Sequence, residues 1–294
     1  MSPPFDHRQV RRAFARASVS YAAVATLQRG VEARLLESLD YLDDRVPETV
    51  LDLGCGPGHA ALAMRRRWPQ ARVLAIDLAL PMLRQVRTPR WPPLRRPLAR
   101  VCADARALPL ADGSLDLMFC NLSLQWVDDL PSAFAGFRRV LRPGGLLLCS
   151  TFGPDTLHEL RAAFAAADDL PHVSPFPSIA QFGDALMQAG FRDPVLDRET
   201  EVRGHPDMTA LMHELRALGA TNALDSRRRG LTGRARFVAA AAAYEAMRGV
   251  DGRLPATWET ITAMAWAPAH GAPIRVQGAE IARFPASGIP IRRR

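Results

Sequence analysis

Leu51-Asp52-Leu53-Gly54-Cys55-Gly56-Pro57-Gly58 combines an acid with three glycines at alternate positions, just after a short apolar run. Glycines at that spacing let the backbone turn sharply and approach a ligand closely. A dinucleotide site needs G-x-G-x-x-G, with pyrophosphate at a helix N-terminus; here the pattern is G-x-G-x-G and Asp52 precedes it. An acid beside the loop suits a cationic ammonium better than a pyrophosphate. Asp77 closes the next apolar run, where a carboxylate can accept both hydroxyls of a ribose. Asp104 closes the third, where a carboxylate can accept an adenine amino group while a neighbouring amide serves the ring nitrogen. Three acids at three successive strand ends are far more specific than a glycine loop alone. Met82, on the helix beyond Asp77, is placed either for adenine contact or for the core.

Elements of two rhythms must position these residues. Val10, Phe14, Ala17, Tyr21, Leu27, Val31, Leu35 and Leu39 recur at helical spacing, which predicts two amphipathic helices ahead of the first strand. Short β-rich runs at 50–54, 72–77, 100–105, 115–122 and 146–152 then alternate with helical segments, the signature of a mainly parallel, doubly wound α/β sheet. The turn Arg142-Pro143-Gly144-Gly145 is expected to separate the preceding helix from the fifth strand. A helix over 179–190 leads into a strand at 194–202, the stretch 206–249 reads as helical, and 257–266 reads as the last strand. A helical insertion between the sixth and seventh strands is the simplest account, with a peripheral Pro- and Gly-rich tail.

The chain has 294 residues, room for one large or two small domains, and 48% of them are hydrophobic, so disorder throughout is excluded. No stretch approaches the roughly 18 uninterrupted apolar residues of a membrane span, and the N-terminus lacks a secretion signal's apolar core, which predicts a cytoplasmic protein that does not enter membranes. All 38 basic residues are arginine, against 30 acidic ones, giving a formal charge of +8. Such a bias reflects coding composition, so the arginine count is no nucleic-acid footprint, although the excess favours an acidic partner. Cys55, Cys102, Cys120 and Cys149 form no C-x-x-C pair and read as buried free thiols. His158-Glu159 and His213-Glu214 lack the second histidine of H-E-x-x-H, so no metal is expected.

The loop 51–58, Ile76-Asp77 with Met82, Cys102-Ala103-Asp104-Ala105 and Leu141-Arg142-Pro143-Gly144-Gly145 together resemble the class I S-adenosylmethionine-dependent methyltransferases. The resemblance implies a Rossmann-like, seven-stranded, mostly parallel sheet with S-adenosylmethionine bound by Gln28, Asp52, Gly54, Gly56, Gly58, Asp77, Met82, Asp104, Ala105 and Asn121. Adenine-N6 enzymes carry an Asn/Asp-Pro-Pro-aromatic tetrapeptide after the fourth strand; Asn121-Leu122-Ser123-Leu124 stands there instead, so nucleic acid is not the expected acceptor.

Over nearly its whole length the chain resembles the malonyl-[acyl-carrier protein] O-methyltransferases, which start pimelate assembly for biotin. The residues that carry this include Arg12, Phe14, Ser20-Tyr21, Gln28, Leu124-Gln125-Trp126, the run 150–157, Leu215-Arg216, Gly219-Ala220-Thr221-Asn222 and Leu254-Pro255-Ala256-Thr257. The resemblance implies a helical lid over 1–45, a cofactor-binding core over 46–203, a substrate-side insertion over 204–253, a last core strand within 254–268 and a tail from 269. It also implies a monomer acting on malonyl-acyl carrier protein or malonyl-CoA. A malonyl carboxylate, with a reference pKa near 4, attacks without a general base. Tyr21 and Gln28 then belong to the lid and Trp126 to the methyl-transfer pocket. Arg216 is the candidate cation for the carboxylate, against the alternative of a solvated helix arginine, with Asn222 next in line. Trp126, Asp129-Leu130-Pro131 and 172–176 also resemble a complex I assembly protein that hydroxylates arginine. A methyltransferase for a small free acid or for RNA stays open as well.

Overall fold

The computed structural model describes residues 5–42, 45–87, 98–230 and 232–269, together with the backbone of two short strands at 274–276 and 279–281. β1 (Thr49–Leu53), β2 (Arg72–Asp77), β3 (Ala99–Cys102), β4 (Leu115–Cys120) and β5 (Leu141–Phe152) pair in parallel. β7 (Leu254–Trp266) is antiparallel to both β5 and β6 (Arg192–His205), and the seven-stranded order is β3-β2-β1-β4-β5-β7-β6. The order reverses between β1 and β4, the place where the carboxyl ends of the strands of such sheets open a crevice for ligands.

Burial on both faces explains the near-continuous apolar strands. On one face α6 (Leu130–Val140) and α8 (Ile179–Gln188) bring Phe134, Phe137 and Phe182 against the sheet, with ring centroids 5.3 and 5.8 Å apart. On the other, α3 (Thr26–Glu37) and α4 (His59–Arg67) contribute Leu35 and Met64. Local signals fix the helix starts: Asp129 accepts from the Ser132 amide at 3.0 Å to cap α6, and Ser178 with Gln181 forms a reciprocal cap on α8.

Several expectations are corrected. Residues 142–145 do not end outside the sheet; β5 begins at Leu141 and runs through them, with the register against β4 shifting between Leu115 and Leu117. A bulge absorbs the extra residues and the strand pairing resumes beyond it. Within the helical stretch 206–249 lie α9 (Met208–Ala217), with Leu211 and Leu215 on its buried face, and the alanine-rich α10 (Arg234–Glu245), and Gly219 follows the end of α9. α7 (His158–Ala165) and α5 (Leu80–Gln85) complete the layers beside the sheet. Most of the tail lies outside the described residues, yet β8 (Ile274–Val276) and β9 (Ala279–Ile281) pair antiparallel within it. Cys55, Cys120 and Cys149 are buried, whereas Cys102, at the end of an edge strand, is exposed.

The N-terminal segment expected as a lid folds as α1 (His7–Ala17), the short α2 (Tyr21–Val24) and α3. Asp6 caps α1 by accepting from the Gln9 amide. The lid is fastened to the insertion: Phe5 bridges Leu224, the Asp6 amide donates to the Ala223 carbonyl at 2.8 Å, and Arg227 donates to the Asp6 carboxylate at 2.8 Å. The Ser20 hydroxyl donates to the Ala217 carbonyl at 2.8 Å.

Candidate active site

Three neighbouring cavities open at the carboxyl ends of the strands, under the lid. The first lies between β1, β2 and β4 and is lined by Gly54, Gly56, Asp77, Met82, Asp104 and Ala105, with His7, Phe14 and Tyr21 closing it from the lid. Gly54 takes φ +70°, and a Cβ there would lie 2.5 Å from that of Ser123, so only glycine lets the loop after β1 nest against the loop after β4. Gly58, expected at the cofactor, does not line this cavity: its φ of +83° starts α4, and a Cβ on it would strike the Val86 side chain at 2.8 Å.

The strand-end acids differ in their commitments. Asp77 accepts from the amides of Gly56 (2.9 Å) and Ala79 (2.7 Å); burial pushes its carboxyl up to about 6 in spite of them. Asp104 is gripped by Arg106 through both Nε and Nη2 at 3.1 and 2.7 Å; burial opposes ionisation, but Arg106 outweighs it and holds the carboxyl below the usual range. Leu78, Met82, Ala103, Ala105 and Val127 give the same cavity an apolar wall beside Asp104.

A smaller polar recess adjoins it, lined by Tyr21, Gln28, Arg29, Glu32, Asp52 and Asn121. Asp52 is 2% exposed and accepts from the Ala61 amide at 2.8 Å; burial, then the neighbouring Glu32, raises its carboxyl well above the ordinary value. Glu32 is pushed by burial up to about 7, opposed by Arg29. Asn121 donates to the Gln28 carbonyl at 3.0 Å and accepts from Ser150, while the Gln28 side-chain oxygen is buried with no partner. Glu32 and Arg29 escaped the sequence reading; the spacing of four from Gln28 to Glu32, which puts both on one helix face, was the available signal.

The third cavity, deeper towards the insertion, shares Phe14, Tyr21, Leu122 and Trp126 with the first. Burial raises the Tyr21 phenol, with Asp77 adding to it, so the hydroxyl stays protonated, and it has no hydrogen-bond partner among the described residues. Trp126 packs edge-on to Phe14 at 5.5 Å, and its indole N–H is buried and unpartnered. Leu122 and Leu157, both on this wall, hold left-handed backbone (φ 43° and 53°), a conformation costing a non-glycine residue about 1–2 kcal/mol. It is held in place by the Leu122 amide on the Ser150 hydroxyl at 2.9 Å and the Leu157 amide on the Thr257 carbonyl at 2.7 Å.

Arg216 does not sit in this cavity. Its neighbour Leu215 points inward, so Arg216 faces outward on α9, exposed, and lines a separate outer cavity. Its placement therefore does not fit a role on the carboxylate of an acyl group held inside. Asn222 lines both cavities, and its amide donates one N–H to the Pro171 carbonyl at 2.7 Å and accepts from the Leu224 amide at 3.1 Å. Neither Cys120 nor Cys149 offers a thiolate, since burial pushes Cys120 up to about 12 and Cys149 well above its ordinary value. Among the described residues no three metal-ligating side chains gather.

A family model for a methyltransferase domain matches residues 51–149. A protein of Xylella fastidiosa (strain M23) named malonyl-[acyl-carrier protein] O-methyltransferase is 57% identical over 295 residues, covering 100% of this chain and 99% of its own. One of the same name from Laribacter hongkongensis (strain HLHK9) is 46% identical over 90% of each chain. Among solved structures, the YcgJ protein from Bacillus subtilis superposes with a TM-score of 0.57 at 16% identity, over 80% of this chain and 97% of its own. A putative methyltransferase from Bacillus halodurans C-125 gives 0.54 at 17% identity, over 81% and 100%. At such identities the structures speak for the fold alone.

Proposed function

We propose, for a chain that belongs to the malonyl-[acyl-carrier protein] O-methyltransferase family, that it transfers a methyl group from S-adenosylmethionine to the free carboxylate of a malonyl thioester, the first step of pimeloyl formation for biotin. The observation that carries this reading is the shared wall: Phe14, Tyr21, Leu122 and Trp126 line both the cavity beside the strand-end acids and the deeper cavity under the insertion.

The residues of the first cavity and its recess fit the methyl donor. Glu32, Asp52 and Asp77 are carboxyls whose burial is costly unless a cation joins them, and Arg29 is the one basic group lining the recess besides His59. Asp52 and Glu32 would hold its ammonium, Arg29 its carboxylate, Asp77 its ribose, and Met82, Ala105 and Asp104 its adenine. When bound, the donor supplies a methyl carbon activated by a sulfonium.

The chain then has to align an acceptor that is already ionised near neutral pH, so it needs no base. With Arg216 outside, the groups available at the shared wall are neutral donors, the Tyr21 hydroxyl and the Trp126 indole N–H. Neutral donors orient a carboxylate without quenching its nucleophilicity as a bidentate guanidinium would. Phe14, Leu122 and Phe152 keep the cavity apolar and exclude water, which strengthens the attraction between the carboxylate and the sulfonium.

Incubation of the protein with methyl-labelled S-adenosylmethionine and, separately, malonyl-acyl carrier protein, malonyl-CoA, free malonate and RNA tests this. Base-labile label on the malonyl thioesters is the expected result. Label confined to RNA or to free malonate, or turnover that requires oxygen, would overturn it.

A further inference from the structure

The outer cavity, about 530 Å³ against about 90 Å³ for the acyl cavity, is unaccounted for by the transfer reaction. The two adjoin, with Leu160, His172, Leu215, Ala220, Thr221 and Asn222 lining both, so the outer one forms a vestibule beside the inner. The vestibule is strongly basic. Arg216, Arg227, Arg228 and Arg229 line it against one carboxylate, that of Asp6. Two of the four are structural, Arg227 on Asp6 at 2.8 Å and Arg228 on Asp168 at 3.1 Å. Arg216 and Arg229 are exposed and have no partner among the described residues. Two unpaired guanidiniums at the mouth of an apolar cavity form a site for an anion joined to an acyl group by a neutral tether.

We propose that the vestibule is the subsite for the phosphate of a 4′-phosphopantetheine arm, with Arg216 and Arg229 on its oxygens, the neutral arm running past Thr221 and Asn222 and the malonyl group in the inner cavity. This rests on the malonyl-thioester reading and names the feature of the acceptor that lies outside the reaction centre. It also gives Arg216 a different task from holding the malonyl carboxylate.

Malonyl-phosphopantetheine and malonyl-pantetheine differ only in the phosphate. With the wild-type protein the phosphorylated acceptor is expected to have a kcat/KM about tenfold or more higher, from two charge-assisted contacts. In the double variant Arg216→Ala, Arg229→Ala that ratio should fall below about twofold. Arg66→Ala, Arg72→Ala lowers net charge equally at the opposite, amino-terminal end of the strands and should keep the ratio, which separates a local site from general attraction. A ratio that survives in the Arg216/Arg229 variant, with both acceptors slowed alike, would overturn the proposal and return Arg216 to the carboxylate. Absence of any phosphate advantage in the wild type would overturn it as well. Binding of phosphopantetheine itself, without the malonyl group, is followed by calorimetry on the same proteins. Loss of affinity in the variant, with pantetheine as the reference, supports the subsite even if no thioester is methylated, whereas methylation without phosphate-dependent binding leaves the reaction standing and removes the subsite.

Discussion

The Gly56 amide donates to Asp77 Oδ2 at 2.9 Å, so the loop after β1 is held by the acid that ends β2. The acid proposed to receive the ribose thus also shapes the loop that approaches the ligand. Asp77→Ala is expected to weaken S-adenosylmethionine binding by about 2–4 kcal/mol, the loss of a charged acceptor together with a loosened loop. Calorimetry showing wild-type affinity in a folded variant would remove Asp77 from the site.

The acid pair Glu32 and Asp77 predicts a pH dependence. In the ligand-free protein both carboxyls are raised, to about 7 and about 6, above their unfolded values, so their contribution to stability is complete below about pH 4 and is lost as the pH rises through 6 to 7. A cationic ligand reverses the preference, since it favours the ionised forms. Affinity for S-adenosylmethionine is therefore expected to rise between pH 5.5 and about 7.5, below the range where a free α-amino group titrates at about 7.7–8.0. Glu32→Gln should flatten the upper part of that rise in a calorimetric titration series. An unchanged slope would mean that Glu32 does not face the ligand.

Gly54→Ala combines a strained φ with a Cβ 2.5 Å from that of Ser123. We expect a stability loss of about 1–3 kcal/mol by urea unfolding and loss of donor binding. Ser123→Gly in the same background relieves the contact but not the backbone strain, and so should restore stability only in part. Full restoration would show that the glycine is required for space alone.

Tyr21→Phe removes a hydroxyl that no protein group uses. Stability is expected to stay within about 0.5 kcal/mol and donor affinity within about twofold, while kcat/KM for the malonyl thioester falls about tenfold, as for one lost hydrogen bond to a charged group. Equal activity of the variant and the wild type would leave Trp126 as the acceptor's only proposed hydrogen-bond donor.

Much of this was legible in the sequence because the relevant forces are local. The glycine loop, the strand-end acids and the apolar runs of β1, β2 and β4 are neighbours in the chain or in adjacent strands, and their periodicity fixes which end of the sheet they share. What was not legible depends on rotation about a helix axis and on side-chain commitments. Arg216 and Leu215 are adjacent, and only the packing of α9 decides that the leucine points into the acyl cavity and the arginine into the vestibule. Gly58 looked like part of the ligand loop, yet its requirement comes from Val86, nearly thirty residues away in the chain. The bond of the Asn222 amide to the Pro171 carbonyl joins residues some fifty positions apart and has no local signal.

The fastening of the N-terminal segment to the loop after α9 carries a consequence for timing. The helices of that segment roof the cavities, and lifting them breaks the antiparallel bridge of Phe5 and Leu224, made by the Asp6 amide on the Ala223 carbonyl, together with the Arg227–Asp6 pair and the Ser20 hydroxyl bond to Ala217. Breaking these contacts together costs free energy, which keeps the opened form the minority. A cycle that loaded and discharged its donor through this roof would draw on that minority twice, so contacts remote from the reacting atoms would bear on its rate.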